Sequence, residues 1–347
     1  MGETLRKSMA WLHTWAGVVI GSVLFAIFWM GSLSVFDQEF DRWMQPGTRL
    51  SAPTAPISLD RAVAPVVASL ADQAAQIGIS LPNDRISYLR IFYRDAKGNG
   101  SSRAVDPGTQ ELIADQGSLA GTGFFFPFHF RLHLKWFDIG YWLVGLAGMA
   151  MLVLLVSGVI IHKKIFVDFF LFRPKKKLQR ASLDLHNLTG VLGLPFHFLI
   201  TLTGLIIFIQ VYFPHAYEGA YGEGKEARAA FQVESTGRYR RPKLNQPAPL
   251  ASLDAMVAEA ERQWTGGRVQ FVRVWHPGDA GGYVEVRRSV ADEVTMNLDQ
   301  IYFDAATGAV LNRSAIGPVV GAQRFIAGMH FIQFKHWGLR WLYLLAG

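Results

Sequence analysis

Runs without a charged residue set the plan of the chain. Residues 9–36, 139–161 and 185–217 contain no Asp, Glu, Lys or Arg. A helix needs about 20 apolar residues to cross the hydrocarbon core of a bilayer, so each run is long enough. The first exceeds the apolar core of a secretory signal, about 7–15 residues, and two further runs follow it, so it reads as an anchored helix. A fourth apolar stretch runs from Trp337 to Gly347. Its rise is only about 16 Å, half a bilayer, so it reads as the start of a span that the sequence leaves incomplete. The predicted order is a helix over 9–36, a mixed segment over 37–132, a helix over 133–162, a basic loop over 163–182, a helix over 183–213, a second mixed segment over 214–329 and the start of a fourth helix over 330–347.

Composition agrees with membrane insertion. Charged residues make up 18% of the 347 positions and hydrophobic ones 50%, whereas a soluble domain carries about 25% charged residues. Such hydrophobicity excludes disorder. The chain has no cysteine, which removes disulfides, zinc–thiolate sites, iron–sulfur clusters and thiol nucleophiles. The net charge is +7, and its placement decides its meaning. Lys163, Lys164, Arg173, Lys175, Lys176, Lys177 and Arg180 oppose Asp168 and Asp184 in one short loop, and Arg6 and Lys7 precede the first span. Both segments are therefore expected in the cytoplasm, and both mixed segments outside. The lysine run sits at a membrane, where anionic lipid accounts for it and nucleic acid does not.

The chain also reads as a tandem repeat. An offset of 173 matches His13 to His186, Gly17 to Gly190 and Gly31 to Gly204. In the mixed segments, Leu59-Asp60 and Leu253-Asp254 each open an Ala-rich helical pattern. Strand-like runs follow at 86–93 and 102–105, then at 269–275 and 283–287, with turn sequences at 105–113 and 303–311. Each mixed segment is expected to be a small α+β domain. Matching the entries to the second and fourth helices pairs His133 with His330. Both copies enter from the same side, so the repeats are parallel, with a pseudo-twofold axis along the membrane normal. The expected fold is a four-helix transmembrane bundle carrying two outer α+β domains, and four helices suffice to enclose a cofactor.

Ten histidines are many for this length. A twofold axis would bring His13 toward His186 at the inner surface and His133 toward His330 at the outer one. Two facing imidazoles in a helical bundle make the axial pair of a b-type haem, held non-covalently because no CxxCH exists. For any single histidine, interfacial anchoring is the competing explanation, and helix packing competes for Gly17 and Gly190. His197 lies eleven residues beyond His186, close to three helical turns, after Pro195. Its counterpart is Leu24, so symmetry does not call for it. A bond to a neighbour, haem ligation and a propionate contact are its open roles. His162 ends the second helix beside Lys163, where snorkelling competes with a haem role. His129 and His133 share a face if their stretch is helical. His336 is grouped with His330, whereas His215 and His276 are assigned to the surface.

Other chemistries lack their signatures. No GxSxG, HExxH, P-loop or dinucleotide fingerprint is present. The glycines at 219–224 lack a strand–helix frame. Asp106 and Asp304 read as turn formers. The aromatic clusters at 124–142 and 325–341 read as interfacial belts. Zinc would need histidines clustered on one side, not paired across the membrane.

WLHTWAGVVIG at 11–21, FHFRLH at 128–133, SGVIIHKKIFVDFFLFRP at 157–174, LDLHNLTGVLGLPFHFLITLTGL at 183–205 and MHFIQF at 329–334 resemble the PepSY-associated transmembrane proteins of bacteria, also called iron-regulated membrane proteins. The resemblance covers essentially the whole chain. Within that family it looks like the inner-membrane ferric-siderophore reductases of the ferrioxamine type. The resemblance implies four spans, two periplasmic PepSY-like domains, bound haem b and electron transfer from a cytoplasmic donor to a ferric siderophore, releasing Fe(II). Two haems are expected, with His13, His186, His133 and His330 as iron ligands and His197, His162 and His129 as further candidates. Two rivals predict otherwise. A non-enzymatic module regulating a periplasmic protease or envelope partner would need no cofactor. A siderophore permease would alternate its two repeats.

Overall fold

The computed structural model describes the chain except for residues 1–2, 52–55, 71–73, 96–99, 115–116, 118–120, 163, 166–170, 214, 238, 291–292, 297–298, 315 and 333–336. Lys163, Asp168 and His336 therefore lie outside the described residues.

Among the described residues, three helices are long and apolar enough to cross a membrane. They contain α1 (Glu3–Ser34), α6 (Ile139–Ile161) and α7 (Leu178–Ile207). On α1, Trp11, Trp15, Val18, Phe25 and Trp29 form an exposed stripe at helical spacing, the surface expected to face lipid. The opposite side buries Leu24 and Ile27 against Ala147 and Leu154 of α6. Gly145 lets α6 meet the ring of Tyr212, where a Cβ would lie 2.2 Å away. The final helix, α11 (Trp337–Ala346), has ten residues and packs on α1 and α7.

Two further helices pack on these spans. They are α5 (Thr122–Arg131) and α10 (Pro318–Phe331). The short α2 (Asp37–Met44) follows α1. Its Asp41 lies at the start of α5, within 3.4 Å of the Thr122 amide. Gly121 there has φ +80°, and a Cβ would run into that carboxylate. Only glycine suits both demands.

The strands form one antiparallel sheet of eight, in the order β4-β3-β2-β1-β5-β6-β7-β8. The strands are β1 (Ala74–Ser80), β2 (Leu89–Asp95), β3 (Gly100–Val105), β4 (Leu112–Ile113), β5 (Arg268–Trp275), β6 (Tyr283–Ser289), β7 (Gln300–Asp304) and β8 (Val310–Ser314). Separate sheets were expected for the two α+β segments. Instead β1 and β5 pair, Gln76 with Trp275 through Ser80 with Phe271. The join leaves neither strand with an unpaired edge. Strand β1 escaped the sequence reading because AAQIGIS is poor in the branched and aromatic residues that mark strands. Strand β2 begins at Leu89, not at residue 86, because Asn83 Oδ1 accepts from the amides of Arg85 and Ile86 and makes a turn there.

One face of the sheet packs on α3 (Leu59–Ala62), α4 (Ala64–Leu70) and α9 (Leu253–Gln263). Ile77, Leu89, Val272 and Phe303 meet Leu59, Val63, Leu253 and Met256 in one core. The starts of α3 and α9 are bonded reciprocally. Asp254 accepts from Leu59 N (2.6 Å) and Ser58 Oγ (2.6 Å), and Asp60 accepts from Leu253 N (2.7 Å) and Ser252 Oγ (2.5 Å). Each carboxylate thus satisfies an orphan amide and faces the positive end of the other helix.

Candidate functional site

The histidines occupy two levels along the helices. At the level remote from the sheet, His13 of α1 faces His186 of α7, with ring centroids 6.2 Å apart and planes at 69°. His13 Nδ1 lies 3.1 Å from Leu154 O and 3.0 Å from Ser157 Oγ. The Ser157 hydroxyl donates to that same carbonyl. Both neighbours of Nδ1 can thus accept, so Nδ1 carries the proton and Nε2 keeps its lone pair.

At the level beside the sheet, His129 of α5 faces His330 of α10, with centroids 6.0 Å apart and planes at 29°. His129 Nδ1 donates to Ile27 O at 2.9 Å, and His330 Nδ1 donates to Ile200 O at 3.0 Å. Thr203 repeats the Ser157 arrangement: its hydroxyl donates to Ile200 O and lies 3.1 Å from His330 Nδ1. Each ring also lies against a glycine, where a Cβ would sit 2.7 Å from His129 Cε1 at Gly31 and 2.9 Å from His330 Cε1 at Gly204. Ile27 with Ile200 and Gly31 with Gly204 keep the same spacing of 173.

Thus His330 faces His129, not His133 as the sequence reading had it. The chain leaves α5 with left-handed residues at Leu132 and His133, φ +51° and +56°. That turn swings His133 against the rings of Phe124 and Phe128, 4.9 and 5.8 Å away. Its buried Nε2 has no hydrogen-bond partner among the described residues.

His197 donates from Nε2 to Ala346 O at 2.9 Å and touches Phe28 edge-on. It has the arrangement of a buried histidine bonded to a neighbour. His162 sits in extended backbone at the end of α6. His215 pairs with Glu218, and His276 Nε2 donates to Arg241 O.

A cavity of about 840 Å³ opens where α1, α5, α7 and α10 meet the sheet, and His129 and His330 are in its wall. Arg340 also lines it; this side chain is 5% exposed and makes no ion pair among the described residues. Its guanidinium donates to Val35 O at 3.3 Å. Arg85 donates to the same carbonyl and grips Glu39 with two nitrogens, at 2.8 and 2.6 Å. Burial opposes ionisation of Glu39, but the Arg85 hydrogen bond and charge outweigh it and hold its pKa below the usual range. Burial raises that of Asp37, against the pull of Arg85.

These residues fit a haem. A metal–imidazole bond is about 2.0–2.1 Å and a ring centroid lies about 1.1 Å behind its nitrogen, so two imidazoles on opposite sides of one ion have centroids about 6.3 Å apart. Both pairs have centroids within 0.3 Å of that spacing. A histidine that gives its other ring N–H to a carbonyl is the usual form of a metal-ligating histidine. Arg340, buried in the cavity wall with Glu39 and Asp37 as its nearby opposite charges, can offer its guanidinium to a propionate carboxylate. Among the described residues no cluster of three or more His, Asp or Glu could hold a bare metal ion.

Ser157, Thr203 and Arg340 were absent from the sequence-level candidates. The spacing of 173, extended to Ile27 and Ile200, would have found the two carbonyls. No sequence signal marks the two hydroxyls.

A family model described as the PepSY-associated TM region matches residues 10–347. The uncharacterised protein PA4219 of Pseudomonas aeruginosa is 30% identical over 219 residues, which are 59% of this chain and 53% of that protein. The chain thus spans about half the length of this curated relative.

Proposed function

The chain belongs to the PepSY-associated TM region family, and from that premise we propose that it is a haem-containing membrane reductase. It takes electrons from a cytoplasmic donor and delivers them to ferric siderophore in the periplasm, one electron per Fe(III) reduced to Fe(II). The observation that carries the reading is the double pairing of histidines, His13 with His186 and His129 with His330, with Nδ1 of three of them tied to a carbonyl.

A b-type haem, when bound, supplies one-electron chemistry at its iron. The chain's own groups orient and insulate it. Leu154 O, Ile27 O and Ile200 O fix the tautomer of three ligands. Ser157 and Thr203 hold two of those rings from a second direction. Gly31 and Gly204 let their rings lie flush on α1 and α7. His13 and Ile27 are fourteen residues apart on one helix, so the two levels stand about 21 Å apart along it. That spacing covers much of the hydrocarbon core of about 30 Å.

In this reading the basic residues at 164–180 face the cytoplasm and the sheet faces the periplasm of a bacterial inner membrane. The 173 spacing in the helices, and the 194 spacing from Asp60 to Asp254, support an internal duplication with parallel copies. Helix α11 takes the place of a fourth bundle member.

The reading is tested on protein purified from cells with ample haem. A b-type spectrum that dithionite reduces, with two haems per chain, is the expected result. Protein that stays colourless overturns it.

A further inference from the structure

The sheet has a second face, away from α3, α4 and α9, and it is covered over only part of its width. On β6 and β7, Tyr283 and Tyr302 donate their hydroxyls to the carbonyls of Tyr239 and Gly237, so the chain after α8 (Gly224–Thr236) closes over them. Over β2 and β3 the face is open among the described residues. Phe92 is 37% exposed there and Arg94 is exposed.

Strand registers put four arginines on this face. Arg90 and Arg94 alternate with Phe92 on β2, and Arg273 on β5 and Arg287 on β6 stand beyond β1. Between them lies one carboxylate, Glu285, 2% exposed and shared by Arg273 (3.7 Å) and Arg287. Asp304, at the far end, already pairs with Arg241. Among the described residues, three positive charges are therefore left over. Burial holds Arg273 below its ordinary pKa and Arg287 adds to that effect, against the pull of Glu285. Arg324 of α10, six residues before His330, responds to burial and to Arg287 in the same direction.

The arginines are set on aromatic rings. The Phe271 ring lies on Gly78, where a Cβ would come within 2.8 Å of it. Arg273 and Arg287 stand over that ring at 4.9 and 5.3 Å from its centroid, and Arg90 stands 5.8 Å from the Phe92 centroid. The ledge also continues into the haem-sized cavity. Arg268 and Ser289, paired across β5 and β6, line the cavity, and Ser289 is two residues along its strand from Arg287. Two strand residues span about 7 Å.

We propose that this face binds a ferric chelate that is anionic and carries aromatic oxygen donors, of the catecholate or phenolate class, and presents it to the His129–His330 end of the molecule. Planar guanidiniums grip oxyanions in pairs and stack on aromatic rings. An aliphatic hydroxamate chelate offers neither excess negative charge nor a ring. The ferrioxamine type suggested by sequence resemblance is of that second kind, so the face redirects the choice of siderophore. The proposal rests on the reductase reading for its iron and on the sheet face for its charge class.

The test is a titration of the full chain in detergent with two probes, the trianionic iron(III) tris-catecholate and the uncharged iron(III) tris-acetohydroxamate. Bound iron is measured by equilibrium dialysis. The catecholate complex is expected to bind at least about tenfold more tightly, and to weaken with salt. Arg90→Gln with Arg94→Gln should cost it about tenfold while leaving the hydroxamate complex unchanged. Both side chains lie on the open part of the face, and circular dichroism verifies folding. Phe92→Ala should weaken the same complex without altering its salt dependence. Equal affinity for both probes, binding of neither, or indifference to the paired substitution overturns the proposal. Haem content, measured on the same samples, judges the reductase reading separately. Catecholate binding to haem-free protein would sink that reading and leave this one standing.

Discussion

His129 and His133 stand four residues apart in FHFRLH, and only one of them faces His330. The difference is made by backbone: α5 ends at Arg131, and the left-handed Leu132 and His133 turn the second imidazole toward Phe124 and Phe128. His129→Ala should therefore remove one of two haems per chain, whereas His133→Ala should retain both. A haem-to-protein ratio decides between them, and loss on His133→Ala alone would reverse the assignment. Much of this level was legible in the sequence. The spacing of 173 marked His13, His186 and the two glycines, and the structure brings the His13 and His186 rings to 6.2 Å between centroids. The exit of the chain from α5 was not legible, because left-handed conformation at leucine and histidine carries no compositional mark. The roles of Ser157 and Thr203 were hidden for a similar reason. A serine or threonine in an apolar helix commonly bonds its own backbone, and only a neighbouring imidazole turns that bond into a support.

The spanning helices declared themselves by their uncharged runs, and β2, β3, β5 and β6 by strand-like runs beside turn residues. Strand β1 and its pairing with β5 did not, since register between strands nearly 200 residues apart depends on what each buries and not on local pattern. The reciprocal caps at α3 and α9 tie the two halves of the sheet. Asp60→Ala and Asp254→Ala should each cost about 1 kcal/mol, the usual worth of a cap. Faster hydrogen exchange at the Leu253 and Leu59 amides, respectively, would report each loss, and unchanged exchange at both would refute the role. The Arg85 clamp at the end of α1 has a pH signature. The folded-state pKa of Glu39 lies below its unfolded value, so its stabilisation is complete above the unfolded pKa of about 4.3 and fades as pH falls through the lower folded value. Asp37 has the opposite sign, because burial raises its folded pKa; its protonation relieves the fold as pH falls. Glu39→Gln should accordingly flatten the acid limb of a thermal-melt series. An acid limb identical to that of the parent protein would remove Glu39 from the account.

At the scale of the molecule, two levels of paired histidines separate a basic loop from a large sheet. The absence of native cysteine makes the orientation easy to read. In spheroplasts, Ser101→Cys on β3 should react with an impermeant maleimide, and Lys176→Cys in the basic loop should react only after lysis. The reverse pattern would invert the topology. The span order and the pairing of His13 with His186 were legible at this scale, whereas the partner of His330 and the merging of the strands into one sheet were not, because the apolar residues of each half could equally close a smaller sheet. The central claim is that each facing pair holds one haem. The most direct measurement is the reduced-minus-oxidised absorption spectrum of the purified chain, with haem counted per polypeptide, for the parent protein, His13→Ala and His330→Ala. The account predicts a b-type spectrum with two haems in the parent protein and one in each variant, lost from different sites. A parent protein without haem, or variants that both keep two, would contradict it.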